Sequence, residues 1–234
     1  MNWLSRNWQL LNANTIGFDS YWHIAVQNKA AMHDTKRLIK SYVNGKVLDI
    51  GAGKLAWRSA LSPYLSSYTS ADFAKEHADL DLIFDATKTF PLSSESFDSL
   101  FCYSVLEHTP KPWNVVPELY RVLKPGGCAI LSVPFIFYLH GAPYDYYRFT
   151  KYGISNLVEE AGFVVDKQVL SGGIFHFLLN APSVVFSALL YSLRLDFCIP
   201  FITSALTFCA RVLDNLFDPS GMFAMNIILV LRKK

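Results

Sequence analysis

The chain has 234 residues, 52% of them hydrophobic, with 21 Lys and Arg against 19 Asp and Glu and a formal net charge of +2. That apolar content excludes intrinsic disorder, and the near-neutral balance gives no basic patch of the kind nucleic-acid binding rests on, so no nucleic-acid partner is expected. Only 17% of residues are charged, below the roughly 25% of an average soluble domain, and part of the surface is therefore expected to meet something other than water.

Taken in chain order, residues 1–45 interleave Trp3, Trp8, Tyr21 and Trp22 with polar residues, and Asp34–Tyr42 is predicted as a helix closed by Asn44-Gly45. Lys46–Ile50 predicts the first strand, Gly51-Ala52-Gly53 the turn after it, and Trp57–Leu65 the next helix. Further strands are predicted at Tyr68–Ala71, Leu82–Phe84, Ser99–Tyr103 and Cys128–Val133. Between the last two, Trp113–Leu123 places Val115, Val116, Leu119, Val122 and Leu123 on one helical face, and Lys124-Pro125-Gly126-Gly127 stops it. A helix at Gly153–Ala161 and strands at Phe163–Val169 and Met225–Leu231 complete the series. Strands this continuously apolar, separated by helical patterns, indicate an α/β fold with a parallel sheet covered on both faces.

Four cysteines, Cys102, Cys128, Cys198 and Cys209, stand apart with no CxxC pair and no histidine at zinc-ligand spacing. They are expected as buried thiols, and no metal is expected. The opening Met1-Asn2-Trp3-Leu4-Ser5-Arg6 lacks the basic head and apolar run of a secretory signal, which points to a reducing, cytoplasmic setting.

The loop Gly51-Ala52-Gly53-Lys54-Leu55-Ala56 follows a strand and precedes a helix, a place where backbone N–H groups and the helix dipole hold nucleotide-like ligands. Glycine turns after strands are common, so the loop alone is a weak signal. Asp72 strengthens it, because it ends the second strand about 20 residues on, where a carboxylate accepts both hydroxyls of a ribose. Asp85 ends the third strand in the same way. Both carboxylates then fall at the carboxyl edge of the sheet, where open α/β folds bind their ligands.

Val47-Leu48-Asp49-Ile50-Gly51-Ala52-Gly53, Asp72, Phe84-Asp85-Ala86, Phe97-Asp98 with Ser104-Val105-Leu106-Glu107-His108, and Leu123-Lys124-Pro125-Gly126-Gly127 together resemble the class I S-adenosylmethionine-dependent methyltransferases, and more narrowly the type 11 family. The resemblance covers roughly residues 35–170. It implies a Rossmann-like sheet of seven strands with the last antiparallel, a place that Met225–Leu231 can fill, and S-adenosyl-L-methionine as cofactor. It also implies that Asp49, Gly51, Ala52, Gly53, Asp72, Phe73, Asp85, Ala86, Tyr103 and Glu107 bind that cofactor: the glycine loop wraps the methionine moiety, Asp72 holds the ribose, Asp85-Ala86 face the adenine, and Tyr103–Glu107 line the opposite side. The chain departs from the pattern at Leu55, where many members have a third glycine. Gly51-x-Gly53-x-x-Ala56 also satisfies the dinucleotide fingerprint, leaving a nicotinamide-dependent oxidoreductase as an alternative; a non-catalytic, membrane-associated nucleoside-binding module is another.

Methyl transfer from a sulfonium is an in-line displacement that needs alignment more than a dedicated nucleophile, although an amine or hydroxyl acceptor needs a base in reach. His108 and His140 both follow sheet strands and are the candidates. The segment His140–Thr150, with Asp145, Arg148 and several tyrosines, lies just beyond the fifth strand, where acceptor pockets form, and its polar and aromatic content suits a sugar. It is similar to a stretch of type 11 methyltransferases like those encoded with bacterial surface-glycan enzymes, which implies a glycan or lipid-linked acceptor. Arg148 and Asp145 pairing to brace the loop is the structural alternative.

Gln168–Leu193 carries no formal charge over 26 residues and Phe197–Ala210 none over 14. Gly172, Gly173, Pro182 and Pro200 are expected to keep each helical piece too short to span a bilayer. Ser183, Ser187 and Tyr191 recur every four residues, as do Thr203, Thr207 and Arg211, so each helix has a narrow polar stripe and a wide apolar face. A peripheral contact of residues 172–215 with the inner face of a membrane, a lid and a homodimer seam all fit that pattern. The expected organisation is an N-terminal helical segment (1–45), a cofactor-binding core (46–170), a hydrophobic helical insertion (171–222) and a final core strand (223–234).

Overall fold

A computed structural model describes residues 3–75 and 77–234; Met1 and Asn2 of the N-terminal stretch lie outside them. The helices are α1 (Trp3–Thr15), α2 (Val26–Tyr42), α3 (Arg58–Leu61), α4 (Pro112–Val122), α5 (Lys151–Glu160), α6 (Ile174–Ser192) and α7 (Ile199–Phe217). The strands are β1 (Gly45–Ile50), β2 (Leu65–Asp72), β3 (Leu82–Ile83), β4 (Phe97–Tyr103), β5 (Leu123–Pro134), β6 (Val164–Ser171) and β7 (Asn226–Arg232). The chain divides into two units. One contains Lys36–Val169 with Asn226–Lys234, and the other the N-terminal residues through Thr35 with Leu170–Met225. Thus the N-terminal segment and the insertion, separate in the sequence reading, belong to one unit.

The first unit is built on a seven-stranded sheet ordered β3-β2-β1-β4-β5-β7-β6. β1 pairs in parallel with β2 and β4, and β4 with β5, whereas β7 lies antiparallel to β5 with Ile130 opposite Val230. Val47, Leu48, Leu100, Phe101, Leu131 and Ile227–Leu231 are all buried, which is why these central strands read as unbroken apolar runs. α4 turns Val115, Val116, Leu119 and Val122 inward as its period requires. The helix expected at Trp57–Leu65 is shorter: α3 holds four residues and a 3-10 turn at Ser62–Tyr64 replaces the rest, with Pro63 breaking the α-helical pattern.

The second unit contains α1, α6 and α7, and here the prediction of short helical pieces is corrected. α6 and α7 each run for 19 residues and are long and apolar enough to cross a membrane. Pro182 sits inside α6 without ending it, and Pro200 occupies the first turn of α7, where the missing N–H has no intrahelical partner to lose. Gly173 gives α6 no capping side chain; instead Asp214 of α7 accepts from Phe175 N at 2.7 Å and His176 N at 3.3 Å, and also bonds the His176 ring. A carboxylate at a helix N-terminus satisfies orphan donors and complements the dipole, so this contact locks α6 to α7.

Candidate active site

The glycine loop works by shape. Gly51 has a φ of +72°, and a Cβ added to it would lie 2.2 Å from Val105 Cγ2; only glycine lets β1 turn this close to the segment after β4. The amides of Gly51 and Ala52 both donate to Ala71 O, at 2.8 and 3.1 Å, and Gly53 N donates to Asp72 Oδ2 at 2.8 Å. These three N–H groups therefore tie the loop to the end of β2, which corrects the expectation that they point at a ligand. Leu55 takes the left-handed conformation, φ 59°, where glycine would be unstrained. Its side chain is buried in a small cluster with Ala52 and Leu80, and that burial offsets a backbone penalty of about 1–2 kcal/mol.

Beside the loop opens a cavity of about 480 Å³, within the range of small-molecule sites. Gly51, Asp72, Phe73, Asp85, Ala86 and His108 line it. So do Phe84, Thr87, Ser104 and Val105, along with Gly141, Tyr144 and Tyr146 from beyond β5. Asp72 and Asp85 thus share one wall at the carboxyl ends of neighbouring strands. Thr87 donates to Asp85 Oδ1 through its hydroxyl at 2.6 Å and its amide at 2.9 Å, and these bonds hold the Asp85 carboxyl below its ordinary value. Phe73 is 70% exposed, leaving an aromatic face beside the two carboxylates. Asp49, Ala52, Gly53, Tyr103 and Glu107 are not in the wall. Asp49 is buried beneath the loop and accepts from Tyr68 Oη at 2.6 Å, and burial raises its carboxyl to about 7.

Four polar residues gather at His108, which lines the cavity, whereas His140, Asp145 and Arg148 are not in its wall. His108 Nδ1 lies 2.8 Å from Tyr144 O, and its ring meets that of His140 with centroids 4.7 Å apart. Asp145, with a side chain 2% exposed, accepts from Arg148 Nη1 at 2.6 Å and Nη2 at 2.8 Å, which holds its carboxyl far below the usual range. Arg148 also donates to the carbonyls of Phe137, Tyr138 and Tyr147. Its five N–H groups are thereby engaged within the loop, the bracing arrangement. Removing one partner of a buried pair costs about 3–5 kcal/mol, and less for a guanidinium 26% exposed. Arg148→Ala is therefore expected to lower the melting temperature by several degrees, measured by calorimetry; lost turnover at an unchanged melting temperature would assign Arg148 to the acceptor instead.

Among the described residues, Glu107, His108 and His140 also form a group whose ligand atoms all lie within 4.8 Å of one another. Sequence spacing concealed it, because His140 is 32 residues from His108. Thr87 was likewise missed, its only signal being adjacency to Ala86, whereas Ser104 and Tyr144 fall inside the segments Tyr103–Glu107 and His140–Thr150 that the sequence singles out.

Residues 48–131 match the family model of the type 11 methyltransferase domain. An uncharacterized methyltransferase from Mycobacterium avium is 31% identical over 96 residues, 37% of this chain and 38% of that protein. The chain thus spans well under half the length of the curated relatives it matches. Among solved structures, a SAM-dependent methyltransferase from Archaeoglobus fulgidus superposes with a TM-score of 0.58 at 12% identity, covering 88% of this chain and 94% of that one. One from Mesorhizobium loti gives 0.55 at 13%, covering 87% and 98%. Residues 48–131 are thus similar to a methyltransferase domain, and the solved structures share the fold of the chain. An antiparallel β7 between β5 and β6 distinguishes this sheet from the six-stranded order of the nicotinamide enzymes.

Proposed function

We propose that this chain transfers a methyl group from S-adenosyl-L-methionine to a polar, hydroxyl-bearing acceptor carried on a lipid, with α6 and α7 seated in a membrane from its cytoplasmic face. The observation that supports the transfer most directly is the single cavity joining Gly51, Asp72 and Asp85. These residues fit the cofactor: two carboxylates for its hydroxyl and amino groups, a glycine where any Cβ would close the space, and the exposed Phe73 as a face for the base. The bound sulfonium supplies the methyl group, and the chain's part is to align the acceptor and exclude water. His108, held in the cavity wall with Nδ1 2.8 Å from Tyr144 O, marks the side on which the acceptor is proposed to bind. Tyr144 and Tyr146 in the same wall give a sugar ring the surfaces it packs on.

The lipid carrier is inferred from the second unit, whose helices are inverted relative to those of a water-soluble bundle. Their polar residues His176, Asn180, Ser183 and Ser187 on α6, and Thr203, Thr207 and Asp214 on α7, are buried. Phe177, Leu178 and Phe186 of α6 and Phe201, Phe208, Leu216 and Phe217 of α7 are exposed. Less than a third of each apolar stretch is buried, so both helices leave wide apolar faces uncovered, as surfaces that meet a membrane or another protein do.

Asp72 tests the transfer. Hydrogen bonds to a charged group are worth about 1.5–3 kcal/mol, so Asp72→Ala is expected to weaken S-adenosylmethionine binding by about 10–100-fold, read by calorimetry. Asp72→Asn, which keeps an acceptor for Gly53 N, is expected to lose less. Unchanged affinity in both variants, or binding of NADH in place of S-adenosylmethionine, overturns this function.

A further inference from the structure

We propose that Glu107, His108 and His140 form a binding site for a divalent metal ion of the zinc class at the acceptor end of the cavity. The group consists of one carboxylate and two imidazoles, the donor set of many catalytic zinc centres, with a coordination position left for a small ligand. His108 Nε2 is 4.0 Å from Glu107 Oε1, and all three ligand atoms fall within 4.8 Å of one another. Bonds of 2.0–2.2 Å to one ion would bring such atoms to about 3.4 Å apart, a closure that side-chain rotation supplies.

Two independent observations point to a cation there. Glu107 is wholly buried, and beyond loose approaches of the Ser104 hydroxyl and its own backbone amide neither carboxylate oxygen has a well-formed hydrogen bond. A buried carboxylate without such a partner is rare, because its desolvation is left uncompensated; an ion between it and the imidazoles compensates it. Secondly, both histidines are oriented as outer-shell contacts orient metal ligands. His108 Nδ1 is 2.8 Å from Tyr144 O and His140 Nδ1 is 3.2 Å from Tyr138 O, so each ring retains Nε2 as its remaining nitrogen. Asp145 Oδ2 and Arg148 Nη2 also approach His140 on its Nδ1 side, at 3.5 and 3.3 Å. Gly141, at φ +65°, allows the loop to come this near, since a Cβ there would stand 2.7 Å from His108 Cε1.

His108 belongs both to this group and to the cavity wall, so an ion held there would lie beside the space where the acceptor is proposed to bind. In that respect the inference rests on the proposed function. An acceptor hydroxyl beside such an ion would be polarised by it and would release its proton to water. Its oxygen then bonds the methyl carbon as the carbon–sulfur bond breaks and the electron pair stays on sulfur.

The test uses the full chain, stripped with a chelator and titrated with zinc sulfate by calorimetry, with bound metal counted by mass spectrometry. S-adenosylmethionine is titrated separately. One zinc per chain is expected. His108→Gln, His140→Gln and Glu107→Gln are each expected to weaken it by about 100-fold, since outer-shell partners alone are worth 10–100-fold. Melting temperatures measured without metal establish that each variant folds. A chain that binds S-adenosylmethionine but no zinc overturns the metal site and spares the methyl-transfer reading. Zinc bound equally by wild type and all three variants also overturns the site. Zinc bound at this site without S-adenosylmethionine supports the site and overturns the transferase reading instead.

Discussion

Gly51→Ala is expected to remove measurable S-adenosylmethionine binding and to lower the melting temperature, although it adds one methyl group. Two penalties act together. At φ +72° an L side chain meets its own backbone, at about 1–2 kcal/mol. The new Cβ would also lie 2.2 Å from Val105 Cγ2, so either the turn or the segment after β4 must move. Val105 lines the cavity with Gly51, and a shift there displaces the wall against which the cofactor is proposed to lie. Overpacking of this kind costs typically 1–3 kcal/mol. The two penalties separate in Gly51→Ala combined with Val105→Ala, which removes the clash and leaves the backbone strain. The double variant is expected to recover part of the affinity and part of the melting temperature, measured by calorimetry on both counts. Wild-type binding by Gly51→Ala alone would show that the loop does not press on Val105.

The α/β alternation, the parallel sheet and the place of Asp72 and Asp85 on one sheet edge were legible because each depends on local pattern. A strand buried on both faces has to be apolar throughout, and a residue ending a parallel strand has to fall on the carboxyl edge. The antiparallel setting of β7 came from family resemblance, since an apolar run carries no direction. Two other features depend on distant geometry. Whether the glycine-loop amides face a ligand or Ala71 O depends on where β2 ends relative to β1, and whether Arg148 braces or binds depends on three carbonyls from Phe137 to Tyr147. Helix length was misjudged for a different reason. Pro182 removes one N–H, and the rest of α6 continues because the polar stripe from His176 to Ser187 finds partners elsewhere in its unit: Ser183 accepts from Val26 N and Asn180 from Gln27 N, both at 3.2 Å. The polar stripe was visible in the sequence; its direction, inward, was not.

That direction sets the largest effect expected outside the cofactor site. At about 1.5 Å per residue, 19-residue helices are about 28 Å long, close to the roughly 30 Å hydrocarbon core of a bilayer. The chain expressed in cells is therefore expected in the membrane fraction and to require detergent for release. Phe201 and Phe208 lie on the exposed side of α7, 76% and 70% exposed. An aspartate at the centre of a membrane helix, where Phe208 falls, is unfavourable by about 2.5–3.5 kcal/mol, so Phe208→Asp, combined with Phe201→Asp near the helix end, is expected to move partitioning by about two orders of magnitude or more at about 1.4 kcal/mol each. Fractionation and flotation with lipid vesicles read that shift, and S-adenosylmethionine affinity reports whether the variant still folds. A lid or a homodimer seam gives a different outcome: the wild type is soluble without detergent, and the double variant changes its turnover or its mass in solution while vesicles float without it. If the wild type is soluble, the apolar faces of α6 and α7 meet protein, and the inference that the acceptor rides on a lipid falls with them.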